Sequence, residues 1–125
     1  MSFSGSTSSS TTYLDVGDCF DYTEYTVAGT CTSLGDFTGF GSQRVSYCGA
    51  PDVEGDLTII ADNGDQLSIH YVGTRTDLFT YACDMYSTGG TGEFQDAEMS
   101  GTLLIRDYDI NHPFDTTFEG VIVLP

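Results

Sequence analysis

The stretch from residue 89 to residue 94 reads Gly89-Gly90-Thr91-Gly92-Glu93-Phe94 and lies between two segments with β-strand patterns. Glycine adopts positive φ angles at little cost, so this composition predicts a tight, irregular corner and not a strand. Phe94 is the one large apolar residue of the corner, and leaving its side chain in water would forgo about 2 kcal/mol of burial. We therefore predict that Phe94 plugs one end of the core and packs against residues such as Leu103 and Phe118.

Short segments with strand patterns recur on both sides of this corner. The clearest pair comprises residues 57–61 and 66–72, whose apolar residues alternate with polar ones around the Asn63-Gly64 turn. Asn-Gly at the centre of a turn is typical of a type I′ hairpin, in which both residues have positive φ. Further strands are predicted at residues 20–27, 29–40, 43–48, 77–86, 102–108 and 116–124, the second of them bent or bulged at its glycines.

Seven or eight short strands joined by short turns indicate an all-β, antiparallel meander. A sheet of that size must curl or split to bury its apolar face. We predict a closed antiparallel β-barrel of about 7–8 strands, which also removes the exposed edges, with a two-sheet β-sandwich as the alternative. Residues 13–125 would form this single domain.

Residues 1–12 are rich in serine and threonine, a composition that predicts an N-terminal arm outside the domain. Such an arm either folds back on its own barrel or adds a strand to the sheet of a neighbouring copy. The second arrangement would produce a homo-oligomer, or a self-assembling extracellular structural subunit with a strand-donating arm.

The charge balance restricts the partners. The 125 residues include 19 acidic side chains against three basic ones, for a net charge of −16. Binding to nucleic acid requires clusters of basic residues, and so does docking on anionic membranes, so neither partner is expected. Solubility accounts for the acidity, with cations or basic partners as the alternative. No stretch is long enough to span a bilayer, and residues 1–12 lack the apolar segment of a signal peptide.

The four cysteines, Cys19, Cys31, Cys48 and Cys83, have no spacing typical of a zinc site. Two disulfides are the simplest interpretation, and they indicate a secreted or otherwise extracytoplasmic protein. Three connectivities are open. The preferred one is Cys19–Cys31 with Cys48–Cys83, in which the second bond closes the longer loop.

Residues with catalytic or metal-binding chemistry are scattered. His70 alternates with apolar neighbours and should point away from the core, and the sequence contains neither a Ser-His-Asp order nor a nucleophile elbow. Arg44, Arg75 and Arg106 each have many carboxylates to pair with. Oxygen donors at Asp62, Asn63 and Asp65, and at Asp107, Asp109 and Asn111, are weak candidates for calcium, because Asp and Asn are also common turn residues. The catalytic and ligand-binding residues stay unassigned, and neither a metal nor a cofactor is predicted.

Four motifs follow one another along the chain: Leu34-Gly35-Asp36-Phe37-Thr38, Asn63-Gly64-Asp65-Gln66-Leu67, the corner at 89–94, and Phe118-Glu119-Gly120-Val121-Ile122. In this order they resemble a group of small secreted microbial proteins with a GGTGxF corner, similar to the barrel superfamily of allene oxide cyclases and dirigent proteins. The resemblance implies a closed antiparallel barrel with room for an apolar cavity. The matched residues are turn and core residues, so no catalytic set is implied.

These observations predict a secreted, disulfide-bonded barrel that binds a small apolar ligand or acts as an extracellular interaction module. The alternative is a cyclase- or isomerase-type enzyme that uses the barrel interior. An apolar cavity of roughly 300 Å³ or more would favour ligand binding or catalysis. A filled barrel with a projecting arm would favour the structural subunit.

Overall fold

A computed structural model describes residues 2–32, 34–49, 52–77, 79–106 and 114–124. Eight strands form a closed barrel in which each strand pairs antiparallel with the next and the last pairs with the first. The strands are β1 (Ser2–Val16), β2 (Phe20–Cys31), β3 (Gly35–Ser46), β4 (Asp52–Ala61), β5 (Gln66–Asp77), β6 (Thr80–Gly90), β7 (Glu98–Arg106) and β8 (Asp115–Val123). The prediction of a closed antiparallel barrel is confirmed, and the alternative of a two-sheet sandwich is not what the chain forms.

The Ser/Thr-rich N-terminal stretch is part of the barrel wall. β1 continues past residue 12, where its register against β2 shifts between Thr11 and Tyr13, and its residues 2–8 also pair with β8. Its inward hydroxyls have partners, because Thr7 Oγ1 is hydrogen-bonded to Thr116 Oγ1 and Ser9 Oγ donates to the Phe114 carbonyl at 2.7 Å. The segment predicted as an arm is therefore a strand of its own barrel, and donating it to a neighbour would require the barrel to open.

The segment at 29–40 is not one bent strand. β2 ends at Cys31, the chain turns, and β3 begins at Gly35, whose φ of 72° supplies the left-handed residue of this hairpin. Gly39 and Gly41 lie inside β3 and do not interrupt it, so the short strand predicted at 43–48 is the second half of β3. Gly35 therefore lies in a turn, whereas Gly39 and Gly41 lie inside a strand where an added side chain would be crowded.

The barrel interior combines glycines with large side chains. A Cβ atom built on Gly5, Gly41 or Gly55 would lie inside 3.0 Å of the ring of Phe118, Tyr25 or Tyr71, respectively. A small barrel has room for large inward rings only where the neighbouring inward residues are small. This complementarity explains why a sequence rich in both glycine and aromatic residues closes into a barrel.

The corner closes one end of the barrel, although it begins later than predicted. Gly89 and Gly90 are the last residues of β6, so the prediction that the whole stretch lies outside a strand is wrong for these two. Gly92–Phe94 forms a single 3-10 turn, and Gly92 has a φ of 57°. The Phe94 side chain is 1% exposed and belongs to the core cluster that also contains Leu103 and Phe118.

The Asn63-Gly64 hairpin lies at the predicted place, but its turn type differs. Ala61 N–H donates to the Asp65 carbonyl and Gly64 N–H to the Ala61 carbonyl, each at 2.9 Å, so the loop has three residues and not two. Gly64 has a φ of 90°, whereas Asn63 does not adopt a positive φ. Asn63 Oδ1 instead accepts a hydrogen bond from Asp65 N–H at 2.9 Å. The loop is a turn followed by a left-handed glycine, and the type I′ prediction is wrong.

We expect Gly64→Val to lower the free energy of unfolding by about 1–3 kcal/mol, because a β-branched residue is strained at positive φ. No atom lies within 4 Å of the added Cβ, so the loss reports backbone conformation and not a clash. Gly64→Asn is the control, since asparagine tolerates the left-handed region and should retain most of the stability. Urea denaturation followed by circular dichroism measures both, and an unchanged midpoint for Gly64→Val would contradict this account of the loop.

Candidate ligand site in the barrel interior

A narrow apolar cavity runs along the inside of the barrel. Phe3 and Leu34 line it near the end closed by Phe94, and Tyr25 and Tyr71 line it near the middle of the barrel. Leu57 points inward from the middle of β4 yet is only half-buried, because it faces this space. Apart from two tyrosines and two threonines, all of its lining side chains are aliphatic, phenylalanine or sulfur-containing.

The free volume of this cavity is about 40 Å³. That exceeds the ~10–15 Å³ that one water requires, but an apolar void of this kind stays dry. It is far below the ~300–1,000 Å³ of sites for drug-sized ligands. The barrel is therefore nearly filled by its own side chains, and a ligand larger than a few atoms has to displace some of them.

A chain of hydrogen bonds lies beside the cavity. The Tyr71 hydroxyl donates to Gln43 Oε1 at 2.8 Å, and the Tyr25 and Tyr71 hydroxyls are 2.8 Å apart. Because the single Tyr71 proton is used on Gln43, Tyr25 must donate to Tyr71. All three residues are buried. The Tyr25 hydroxyl oxygen can still accept a hydrogen bond, whereas its proton is already engaged.

Burial sets the protonation state of both phenols. Loss of solvation raises the pKa of Tyr25 and of Tyr71 well above the usual value near 10, because the phenolate would have to be buried among apolar side chains. Both hydroxyls are thus neutral at any physiological pH. They can position a ligand by hydrogen bonding, but neither is suited to act as a general base near pH 7.

At the opposite end of the barrel a disulfide joins Cys19 and Cys48, whose Cα atoms are 5.0 Å apart. Next to it, the Tyr47 hydroxyl donates to Asp21 Oδ2 at 2.8 Å. Asp21 is 6% exposed, and its Oδ1 accepts no hydrogen bond from the described residues. The disulfide and this hydrogen bond therefore tie the start of β2 to the chain that follows β3.

The predicted pairings Cys19–Cys31 and Cys48–Cys83 are wrong. β2 and β3 form one hairpin in which Phe20 faces Ser46, so the residues that flank its open end, Cys19 and Cys48, come together. Cys31 and Cys83 are buried and not disulfide-bonded, which overturns the expectation of two bonds. Burial raises the pKa of the Cys83 thiol to about 12, so it is a poor nucleophile.

The other sequence candidates lie outside the barrel interior. His70 is on the outer face, as its alternation predicts, with Nδ1 at 2.8 Å from Asp56 and Nε2 at 3.5 Å from Glu54. The Arg44 guanidinium lies 5.0 Å from the centre of the Phe20 ring. Arg75 and Arg106 are exposed. These residues do not form a catalytic group of nucleophile, base and orienting side chain.

The two turns considered for calcium have different outcomes. In the β4–β5 loop, Asn63 Oδ1 accepts from the backbone of Asp65, and Asp65 Oδ2 accepts from Glu93 N–H at 3.1 Å. These contacts shape the turn and attach the corner to it. The candidate Asp107, Asp109 and Asn111 lies outside the described residues. Within the described ranges, no three His, Cys, Asp or Glu side chains are grouped to hold a metal ion.

Sequence reasoning missed the polar residues inside the barrel. Gln43 is not among the sequence candidates, and the tyrosines are considered only as a group, although Gln43 alternates inward with Val45 and Tyr25 with Val27. That periodicity was the available signal. The glycines between residues 29 and 41 obscure it, because they make the end of β2 and the start of β3 resemble one bent strand.

Comparisons with known proteins show the fold. No protein-family model matches the chain. No curated protein matches it either. Among solved structures, pyocyanin demethylase matches with a TM-score of 0.54 and 15% sequence identity, over 96% of this chain and 99% of that one. Among the described residues there is no helix with the length and apolar character needed to cross a membrane.

Proposed function

We propose that the protein binds a small apolar molecule inside its barrel. The observation that carries this proposal is the apolar cavity that runs from Phe3 and Leu34 to the tyrosine pair. Closed barrels of eight strands have an interior that either is filled by side chains or holds one small ligand. Here the interior is between these two limits, because it is packed but keeps an apolar void of about 40 Å³ beside the inward, half-buried Leu57.

Rearrangement of two methionine side chains could enlarge the cavity. Met85 and Met99 both line it, and an unbranched thioether side chain can repack around a guest at lower cost than a branched one. Phe3, the second residue of β1, is half-buried and also lines the cavity. A ligand would enter past Phe3 and Leu34 and displace one or both methionines.

The protonation, hydrogen bonding and position of the polar side chains favour binding over catalysis. The two phenols are neutral and already hydrogen-bonded to each other and to Gln43, and His70 is on the outer face. A cyclase- or isomerase-type enzyme is the alternative, in which Tyr25 would turn its hydroxyl toward the oxygen of a bound substrate. The proposed relation to the barrel superfamily of allene oxide cyclases and dirigent proteins fits either reading, as does the barrel of pyocyanin demethylase, whose 15% identity carries no activity across.

We further propose an extracytoplasmic location. The support is the Cys19–Cys48 disulfide, since such bonds persist in oxidising compartments and are rare in reducing ones. With an acidic surface, a barrel of this kind would suit a soluble carrier or an extracellular interaction module.

Xenon and benzene test the cavity directly. In methyl-labelled protein, we expect either guest to shift the ¹³C resonances of Leu57, Ile59 and Leu67. Leu57→Phe fills the space and should abolish the shifts, whereas Leu104→Phe enlarges an exposed residue on the outer face and should leave them unchanged. Absence of shifts with both guests, or equal shifts in Leu57→Phe, would overturn the proposal.

A further inference from the structure

We propose that a cup on the outer face of β2, β3 and β4 binds a neutral saccharide. At its centre lies Ser42, which pairs directly with Glu24 on one side and with Asp56 on the other. Along β3, the next outward residues are Phe40 and Arg44. A small side chain ringed by four larger ones leaves a depression, and the groove at this place measures about 370 Å³.

The wall of the cup presents aromatic surface. Phe40 is 51% exposed in the middle of the sheet face, between the outward residues Thr26 and Thr58. Tyr22 lines the other side of the groove. The C–H groups on one face of a sugar ring carry partial positive charge and pack on the negative face of an aromatic ring. Phe40 therefore offers the kind of surface on which such a ring stacks.

Two carboxylates flank the cup, and each is held in place by one neighbour. The Tyr22 hydroxyl donates to Glu24 Oε1 at 3.0 Å, and His70 Nδ1 lies 2.8 Å from Asp56 Oδ1. The first bond raises the pKa of Tyr22, because it stabilises the protonated phenol beside the acid. A carboxylate has about four acceptor sites, so each keeps capacity for a ligand hydroxyl.

The hydrogen-bonding groups around the cup select the class of ligand. The carboxylates of Glu24 and Asp56 offer acceptor oxygens, and the hydroxyls of Thr26 and Thr58 can both donate and accept. The complementary ligand carries many hydroxyl donors together with an apolar face, which describes a sugar. An anionic ligand would be repelled by a chain of net charge −16. The one nearby guanidinium, that of Arg44, is placed over the Phe20 ring.

The volume also suits this class. The groove of about 370 Å³ is open to solvent, so a sugar ring can lie on it with one face exposed, and unlike the interior cavity it needs no side chain to be displaced. Because the site is shallow and open, we expect binding in the millimolar range, about −4 kcal/mol at 1 mM.

Titration with cellotriose, maltotriose and N,N′-diacetylchitobiose, followed by ¹H–¹⁵N NMR of the whole chain, tests the proposal. We expect at least one of them to shift amides of residues 22–26, 40–44 and 54–58 while the rest of the barrel is unmoved. Phe40→Ala should weaken that binding about tenfold, and Glu24→Gln about threefold to tenfold. Leu104→Ala and Glu119→Gln, an exposed apolar residue and a carboxylate on β7 and β8, are the matched controls and should change nothing.

Salt and calcium separate a sugar from charged ligands. Saccharide binding should persist in 0.5 M NaCl, because it does not depend on net charge. The proposal is overturned if none of the three sugars shifts these amides at 50 mM, or if Phe40→Ala binds the sugar as tightly as the wild type. It is equally overturned if calcium chloride or a lysine-rich peptide alone produces them and salt abolishes the effect.

Discussion

Phe94→Ala is expected to lower the free energy of unfolding by about 3–5 kcal/mol, the usual loss for a fully buried phenylalanine. The side chain is 1% exposed, and the corner that carries it is hydrogen-bonded to the neighbouring β4–β5 loop. Glu93 N–H donates to Asp65 Oδ2, and Thr91 N–H donates to the Gln66 carbonyl at 2.9 Å. With its backbone fixed in this way, the corner cannot collapse into the space that the ring leaves.

Phe40→Ala is the matched control, because the same side chain is removed from an exposed position on the outer face. Its effect on stability should stay within about 0.5 kcal/mol. Guanidinium denaturation of both variants, monitored by circular dichroism, gives the comparison. Equal midpoints would show that Phe94 does not seal the barrel. A small loss together with faster uptake of benzene would instead identify Phe94 as a gate to the interior cavity.

The fold was predictable where local signals and the tertiary structure agree. Alternation in 57–61 and 66–72 located β4, β5 and their hairpin, and the number of such segments implied closure. The turn type was not predictable, because an Asn-Gly pair fits both a two-residue loop and the three-residue loop that is observed. Register between the strands decides between them, and the local sequence does not contain it.

The N-terminal strand shows what composition alone misses. Its Ser/Thr-rich sequence has little apolar surface to bury, and such sequences are usually flexible. Two neighbouring strands supply backbone partners along it, and Thr116 and the Phe114 carbonyl satisfy the hydroxyls of Thr7 and Ser9. These partners are more than 100 positions away in the sequence. Only closure of the barrel brings them within reach.

The disulfide and the polar residues of the interior were missed for a related reason. Both depend on recognising β2 and β3 as one hairpin, with Cys19 and Cys48 beyond its open end and Gln43 facing inward. Glycines at 35, 39 and 41 concealed the hairpin, since nothing in the local sequence separates the one with positive φ from the two that lie at crowded positions inside β3. The outer cup was equally hidden, because it is assembled from three strands.

Gly55→Ala should destabilise the protein by about 3 kcal/mol or more, although it adds one methyl group. The new Cβ would overlap Tyr71 Cζ and Oη and lie 2.7 Å from the Ser42 carbonyl oxygen. The side chain of Tyr71 would have to move, and the backbone of β3 would have to follow. Displacing Tyr71 breaks its hydrogen bonds with Tyr25 and Gln43 and leaves buried polar groups without partners.

Gly89→Ala provides the control, because Gly89 is an exposed strand glycine with no atom within 4 Å of its added Cβ and no positive φ. Its free energy of unfolding, measured by urea denaturation, should match that of the wild type to within about 0.5 kcal/mol. A double-mutant cycle then isolates the cause. Tyr71→Phe alone should cost about 1–3 kcal/mol, but less in the Gly55→Ala background, since the clash with the hydroxyl is gone. Strict additivity would mean that crowding at Gly55 acts through the Ser42 backbone and not through the tyrosine pair.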